Sequence, residues 1–255
     1  MAAFYGLGAY IVTLLMMKMG INFFFCLGIA MFFCAIVSLV VSYSSLRLRG
    51  DYFILASLAF QIIIFTILYN WIDLTRGPYG IPGIPKPEIL GLKFDNLYKF
   101  LLLSGGMSLV VFFIIKRICN SSFGLVLKAI REDELSAEAI GKNITKFKIL
   151  AFVISSGLAA IAGGLYATYI TYIDPTSFTL DESIFILTIV LVGGSGNLKG
   201  PIIGTFLMIL LPEGLRFLGI PSSVAANVRQ IIYAIILILL MRFRPQGLAG
   251  EYKFG

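Results

Sequence analysis

Histidine is absent from this 255-residue sequence, cysteine occurs three times, tryptophan once, and charged residues make up only 13%. Without histidine, His-ligated zinc, His-held haem and Ser-His-Asp chemistry are excluded. Cys26, Cys34 and Cys119 are too few and too scattered for a disulfide framework or a four-cysteine metal site. Cys26 and Cys34 fall in an apolar run and read as small buried hydrophobes. No metal and no cofactor is expected. The shortage of charge is as telling. A soluble domain carries roughly 25% charged and about 45–50% apolar residues, whereas here 59% are hydrophobic and the mean hydropathy is +0.96. That much apolar surface cannot be hidden inside a water-soluble globule of this size, so the chain reads as an integral membrane protein.

A spanning helix needs roughly 20 apolar residues. Runs of about that length lie at 2–17, 21–43, 52–70, 96–115, 148–171, 201–218 and 226–242. An eighth, 183–194, is short and reads either as a helix broken at Gly193-Gly194 or as a re-entrant segment. The expected fold is all-α and polytopic, with about eight hydrophobic segments, one of them short or broken. The first run lacks a basic n-region and an A-x-A-like site ahead of a polar part, so it reads as a span and not as a signal peptide.

Lysine and arginine set the orientation. The stretch 116–148 holds Lys116, Arg117, Lys128, Arg131, Lys142, Lys146 and Lys148, and 172–182 holds none. The first is expected in the cytoplasm and the second outside. With eight crossings both termini are cytoplasmic; if 183–194 dips in and returns, Arg242 and Arg244 move outside. The net charge of +7 sits between hydrophobic runs and records topology, so no nucleic-acid partner is expected.

The spans hold almost no ionisable residue in mid-membrane, since Lys99, Asp51 and Asp181 lie at segment ends. That argues against a proton-driven pump, a voltage sensor and a membrane-embedded enzyme. Gln61, Thr66, Asn70, Thr168 and Thr188 are left as polar groups, each read first as a helix–helix hydrogen-bonding residue. Ser156, Ala160 and Gly164 recur every four residues, with Gly157, Gly163 and Ala167 beside them, a stripe that lets helices approach closely.

Glycine and proline cluster twice more. The stretch 75–85, with Gly77 and Gly80, is expected to be a rigid, turning outside loop, either purely structural or a lip that meets substrate or a delivering protein. The stretch 193–201, with Gly193, Gly194, Gly196 and Gly200 and followed by Gly204, superficially resembles a phosphate loop. Lys199 is followed by Gly200 and not by Ser or Thr, so it is no Walker A motif and the chain has no ATP site by that criterion. A glycine-rich break between hydrophobic runs points instead to a transporter pathway.

The one long polar insertion, 121–145, places Asp133 as an N-cap, Glu134 in the first turn of a two-turn helix and Gly141 at C′, with Leu135 and Ala139 on one face. So short a helix is unstable alone in water. Its holder is either the chain's own membrane part or a separate cytoplasmic subunit.

The chain resembles the permease subunits of ATP-binding-cassette importers for branched-chain amino acids, of the LivM type. The resemblance covers nearly the whole chain through ordered blocks: LRLRGDYF (46–53), LTRGPYGIPGIPKP (74–87), LKAIREDELSAEAIGKNITKFKILAFVISSGLAAIAGGLYA (127–167), GGSGNLKGPIIG (193–204), LPEGLRF (211–217) and FRPQGL (243–248). It implies a single transmembrane permease domain over 1–255, with 116–147 as a cytoplasmic coupling loop. Within that loop Arg131, Glu132, Asp133, Glu134, Glu138, Ala139 and Gly141 would dock an ATPase, with Glu138, Ala139 and Gly141 a loose remnant of the superfamily's E-A-A…G pattern. Gly6 and Gly8 of the first block, Gly77 and Gly80, and Gly193, Gly194, Gly196, Gly200 and Gly204 would line the substrate pathway. Relatives usually carry further hydrophobic residues ahead of the block at 2–10, the counterpart of the break at 193–200.

The resemblance also implies partners: a sister permease in a heterodimer, two ABC ATPases that hydrolyse the ATP, an extracytoplasmic substrate-binding protein, and membrane lipid around them. The expected function is import of Leu, Ile or Val across the cytoplasmic membrane of a bacterium or archaeon. Urea, an amide or another amino acid is the alternative cargo, and an ATPase-independent facilitator the alternative mechanism.

Overall fold

The computed structural model describes residues 1–45, 51–89, 92–194 and 196–216, together with positions 231, 235, 238, 242, 247 and 248. The expected span at 226–242 therefore lies almost wholly outside the described residues, as do residues 46–50 of the block at 46–53. Two compact units are formed, 1–180 and 181–255.

The first unit contains α1 (Ala2–Met19), α2 (Phe23–Ser45), α3 (Asp51–Asn70), α4 (Ile72–Thr75), α5 (Leu97–Cys119), α6 (Ser122–Glu132), α7 (Glu134–Ala139) and α8 (Ile144–Ile170). Among the described residues, α1, α2, α5, α8 and the stretch Pro175–Gly193 are each long and apolar enough to cross a membrane. Residues 55–70 and 72–79 add a sixth candidate, bent by 73°. The all-α polytopic expectation holds.

The core of this unit is α1, α2 and α8 packed on one another. Their apolar residues face several directions, so only side-chain size decides which faces meet. The small-residue stripe of α8 decides it. A Cβ on Gly163 would strike the backbone carbonyl of Tyr5, and one on Gly164 would fall 2.6 Å from Leu27 and 2.9 Å from Val12. Gly8 of α1 in turn faces the backbone of Ala160. Cys26 and Cys34 are fully buried in this core, where the Cys34 thiol donates to the Phe4 carbonyl at 3.7 Å.

A second cluster joins α1 and α3 to the segment after α8. β1 (Ile81–Pro82) pairs antiparallel with β4 (Tyr172–Ile173), in the register Ile81 to Ile173. The N–H groups of Gly83 and Ile84 donate to the Thr171 carbonyl at 3.0 and 3.2 Å. Gly77, Gly80 and Gly83 all have positive φ, the conformation glycine adopts without a Cβ penalty. A short hairpin, β2 (Glu88–Ile89) with β3 (Leu92–Lys93), completes the loop.

Gln61 ties the cluster. It is 5% exposed, accepts from the Ala3 N–H at 2.8 Å, and donates to the Phe178 carbonyl at 2.9 Å. The Ala3 donor is one of the orphan N–H groups at a helix start. Phe178, in the 3₁₀ turn Pro175–Phe178, is ringed by Tyr5, Tyr10 and Tyr166 at centroid distances of 5.3, 6.1 and 6.0 Å.

Thr13 is fully buried and its hydroxyl has no hydrogen-bond partner among the described residues. Thr13→Val keeps the shape and removes a buried polar group whose burial costs about 1–3 kcal/mol. The expected result is a higher midpoint of thermal unfolding in detergent, followed by the exposure of Cys26 and Cys34 to a thiol-reactive dye. A lower midpoint contradicts it.

The second unit contains α9 (Leu180–Gly193) and α10 (Lys199–Arg216). The run expected from residue 183 starts three residues earlier. Asp181 and Glu182 lie in its first turn, where carboxylates oppose the positive end of the helix dipole.

Candidate functional site

Two of the expected sites fall within the described residues, and each lies inside a single unit. The first is the polar loop. The α5 helix closes at Cys119, and Ser121 begins α6, its hydroxyl accepting from the Gly124 N–H at 3.4 Å. The Phe123 ring stacks on Phe147 of α8, centroids 5.5 Å apart, which fixes α6 against the first turn of α8. Asp133 then ends α6 and caps α7 at once. Its Oδ1 accepts from the Leu135 N–H at 2.9 Å, and its other oxygen accepts from the Ser136 hydroxyl. The Ser136 hydroxyl, followed by the Ser136 and Leu135 backbone N–H groups, holds the Asp133 carboxyl below its ordinary value.

The far end of α7 is closed as fully. Gly141 has φ +80°, its N–H donates to Glu138 at 2.8 Å, and the Lys142 N–H donates to Ala137 at 3.2 Å. This pair of bonds is the Schellman arrangement. An ion pair from Glu134 to Lys148 connects α7 to α8, and Arg131 pairs with its neighbour Glu132 at 2.6 Å. Asn143 caps α8 by accepting from the Lys146 N–H at 3.0 Å.

The chain thus holds the short helix itself, which answers one half of the question the sequence left open. The other half lies in what stays uncovered. Ala137 is the buried residue of α7, at 4% exposure, while Leu135 and Ile140 are 78% and 76% exposed. Arg131, Glu132, Asp133, Glu134, Glu138, Ala139 and Gly141 are all exposed as well. Leu135 and Ala139, expected on one face, both point away from the chain's own packing.

The second site is the glycine-rich break. α9 ends at Gly193; Gly194 and Gly196 have φ of +106° and +90°. The Asn197 side chain accepts from the Lys199 N–H at 3.1 Å and starts α10, with Pro201 in the first turn, where no amide donor is needed. Gly193 lies against the backbone of Gly200, and Gly204 against the Ile189 carbonyl and Gly193. The Leu248 N–H donates to the Val192 carbonyl at 3.0 Å. These glycines let two helix ends meet backbone to backbone.

The other candidate pathway glycines have packing partners in the first unit. Gly6 abuts Phe178, Gly8 abuts Ala160, and Gly77 abuts the Tyr69 carbonyl, while Gly80 lies beside Ile173 and Tyr172. Among the described residues there is no group of three Cys, Asp or Glu side chains placed to hold a metal ion. Gln61, which the sequence marked only as one polar span residue among five, is the one that joins three segments.

Spans of this number and length, joined by a structured loop after α3 and a capped polar insertion after α5, define a multi-pass helical membrane protein. Residues 1–241 match the model of the family described as branched-chain amino acid transport system / permease component, and the chain belongs to that family. It is 33% identical to the high-affinity branched-chain amino acid transport system permease protein LivM of Salmonella typhimurium and of Escherichia coli. Each match covers 96% of this chain and 61% of the relative. It is 29% identical to a probable LivM permease of Methanocaldococcus jannaschii, over 85% of this chain and 65% of that protein. The chain therefore spans about three-fifths of the length of the curated relatives it matches. No solved structure matches it.

Proposed function

We propose that the chain is the membrane-spanning permease subunit of an ATP-driven importer of branched-chain amino acids, acting in the cytoplasmic membrane of a bacterium or archaeon. It forms one functional permease domain over 1–255 and has no ATP site of its own. A sister permease completes the pathway, an extracytoplasmic binding protein delivers the amino acid, and two ABC ATPases supply the energy by closing on ATP. The loop 116–147 carries that closure to the spans.

The observation that supports this reading best is α7. It is capped at both ends, braced to α8 by Glu134 and Lys148, and yet leaves Leu135, Glu138, Ala139 and Ile140 in solvent. A channel or facilitator has no use for such a helix, whereas a permease driven by separate ATPases needs one. Movement of α7 passes directly to α8, whose small-residue stripe carries α1 and α2. The break at 193–204, where Gly193, Gly200 and Gly204 bring the ends of α9 and α10 together, is the interrupted segment of the pathway.

Glu138→Arg combined with Gly141→Leu reverses one contact charge and forces a side chain into a left-handed position. The ABC ATPase recovered with the tagged chain should fall about tenfold or more, because like charges facing each other cost several kcal/mol. The amount of the chain in the membrane should not change. Unchanged recovery of the ATPase removes α7 from the docking role.

A further inference from the structure

A groove lies between the start of α5 and the end of α8, away from both candidate sites. It consists of two adjoining cavities of about 200 and 320 Å³ that share Leu97, Phe100 and Tyr169. The larger falls at the low end of small-molecule pockets, roughly 300–1,000 Å³. The Phe100 and Tyr169 rings meet where the two join, 5.2 Å apart. One end is polar, with Lys86, Asp95, Asn96 and Thr168. The other is mostly apolar, with Leu101, Leu165 and Tyr166, and carries Ser104 on its wall.

Lys86 is positioned there and not merely nearby. Its Nζ donates to the Asp95 backbone carbonyl at 2.7 Å, which fixes the ammonium and leaves two of its three N–H donors for a ligand. Asp95 itself lines the same wall. The polar end therefore offers one fixed cation and one anion.

Depth decides what can reach it. The polar residues Lys86, Asp95 and Asn96 precede the first residue of the α5 span, in a region where Tyr79 and Tyr98 are exposed; tyrosine favours the membrane–water interface. The apolar half begins on the span itself, beside Leu97, Leu101 and Leu102, which are all exposed. The groove thus opens sideways, toward hydrocarbon, and its polar end meets the headgroup layer. An amphipathic molecule with a polar head and an acyl chain fits that division, and a small water-borne solute does not.

We propose that this groove binds one phospholipid with a zwitterionic, primary-amine headgroup, of the phosphatidylethanolamine type. Its phosphate takes the free donors of Lys86, its ammonium donates to the Asp95 carboxylate, and an acyl chain lies along Leu101, Leu165 and Tyr166. An anionic headgroup without an amine leaves Asp95 unpaired and facing negative charge. A choline headgroup has no N–H to donate. The proposal rests on the membrane-spanning reading of α5 and α8 and is independent of what the protein transports.

Native mass spectrometry of the purified full chain tests it, with equimolar dioleoyl phosphatidylethanolamine, phosphatidylglycerol and phosphatidylcholine added in mild detergent. Phosphatidylethanolamine should be retained about tenfold over phosphatidylcholine, the scale of one charge-assisted hydrogen bond. Asp95→Asn should remove that preference and leave phosphatidylcholine retention unchanged, whereas Lys86→Gln should lower retention of all three lipids, since each offers a phosphate to the Lys86 donors. Ser104→Phe fills the apolar end with both charges intact and should lower retention of all three lipids. Free glycerophosphoethanolamine at the same concentration should not displace the lipid; displacement overturns the proposal in favour of a soluble phosphate-ester site. Equal retention of the three lipids by the unaltered chain, or preference for phosphatidylglycerol, also overturns it. That comparison needs no variant, so it decides the matter even where a substitution prevents folding.

Discussion

Gly163→Ala should abolish recovery of the folded, monodisperse chain. One methyl group is an unusually small change for so large an effect, but at this position its Cβ would overlap the Tyr5 carbonyl and lie 2.8 Å from the Ala9 amide nitrogen. Neither is the movable tip of a side chain, so α1 and α8 would have to separate along their contact. Ordinary overpacking in a core costs about 1–3 kcal/mol, and a collision between two helix backbones lies at or above the top of that range. Gly105→Ala and Gly106→Ala are the controls. Both glycines sit in α5 with none of the described residues within 4 Å of the added carbon, so alanine should stabilise the helix by roughly 0.5–1 kcal/mol. Size-exclusion profiles of the three variants in detergent give the comparison directly. A monodisperse Gly163→Ala protein with an unchanged melting midpoint would falsify the close approach of α1 and α8.

Gln61→Leu should be nearly as damaging, for a different reason. Leucine fits the apolar surroundings and suits the membrane better than an amide. It leaves the Ala3 N–H and the Phe178 carbonyl without the partners Gln61 provides, and each unpaired buried group costs about 1–3 kcal/mol. The expected loss is therefore about 2–6 kcal/mol by the same principle, seen as a lower thermal midpoint. Trypsin should also cleave earlier at Arg76, in the loop that packs on the same cluster. A Gln61→Leu protein as stable as the unaltered chain would mean that the amide's two bonds count for nothing. Gln61→Asn, too short to span both partners, should fall between the two.

Much of the fold was legible because hydrophobic length is a long-range average that single residues hardly disturb. Helix ends came within a few residues wherever a cap announced them. Asp133 and Gly141 defined α7 from local chemistry alone, and both caps form as expected. The residue α7 buries was not legible. Two turns contain too few positions for a period to show itself, and it is packing on α6 and α8 that turns Ala137 inward and leaves Leu135 outside. The start of α9 was misplaced because Asp181 and Glu182 look like the end of an apolar run, although acidic residues suit the first turn of a helix. For Gln61 the sequence offered a polar residue in a span and nothing more. Its partners are 58 and 117 residues away, and no local pattern encodes such a pairing. Likewise, glycines marked by sequence as pathway residues turn out to have close packing neighbours in each unit, since one sequence does not distinguish a glycine facing a substrate from one facing another backbone.

The double closure of α7 bears on how quickly anything could engage and leave it. A segment that folds only on contact must surrender its conformational freedom at that moment, which weakens the complex. With Asp133 at one end, Gly141 at the other and Glu134 tied to Lys148, α7 has already surrendered it. Encounter with a partner then immobilises a few surface side chains, chiefly Leu135 and Ile140, and little backbone. If α7 docks a partner as proposed, that preorganised contact forms and releases without being refolded each time.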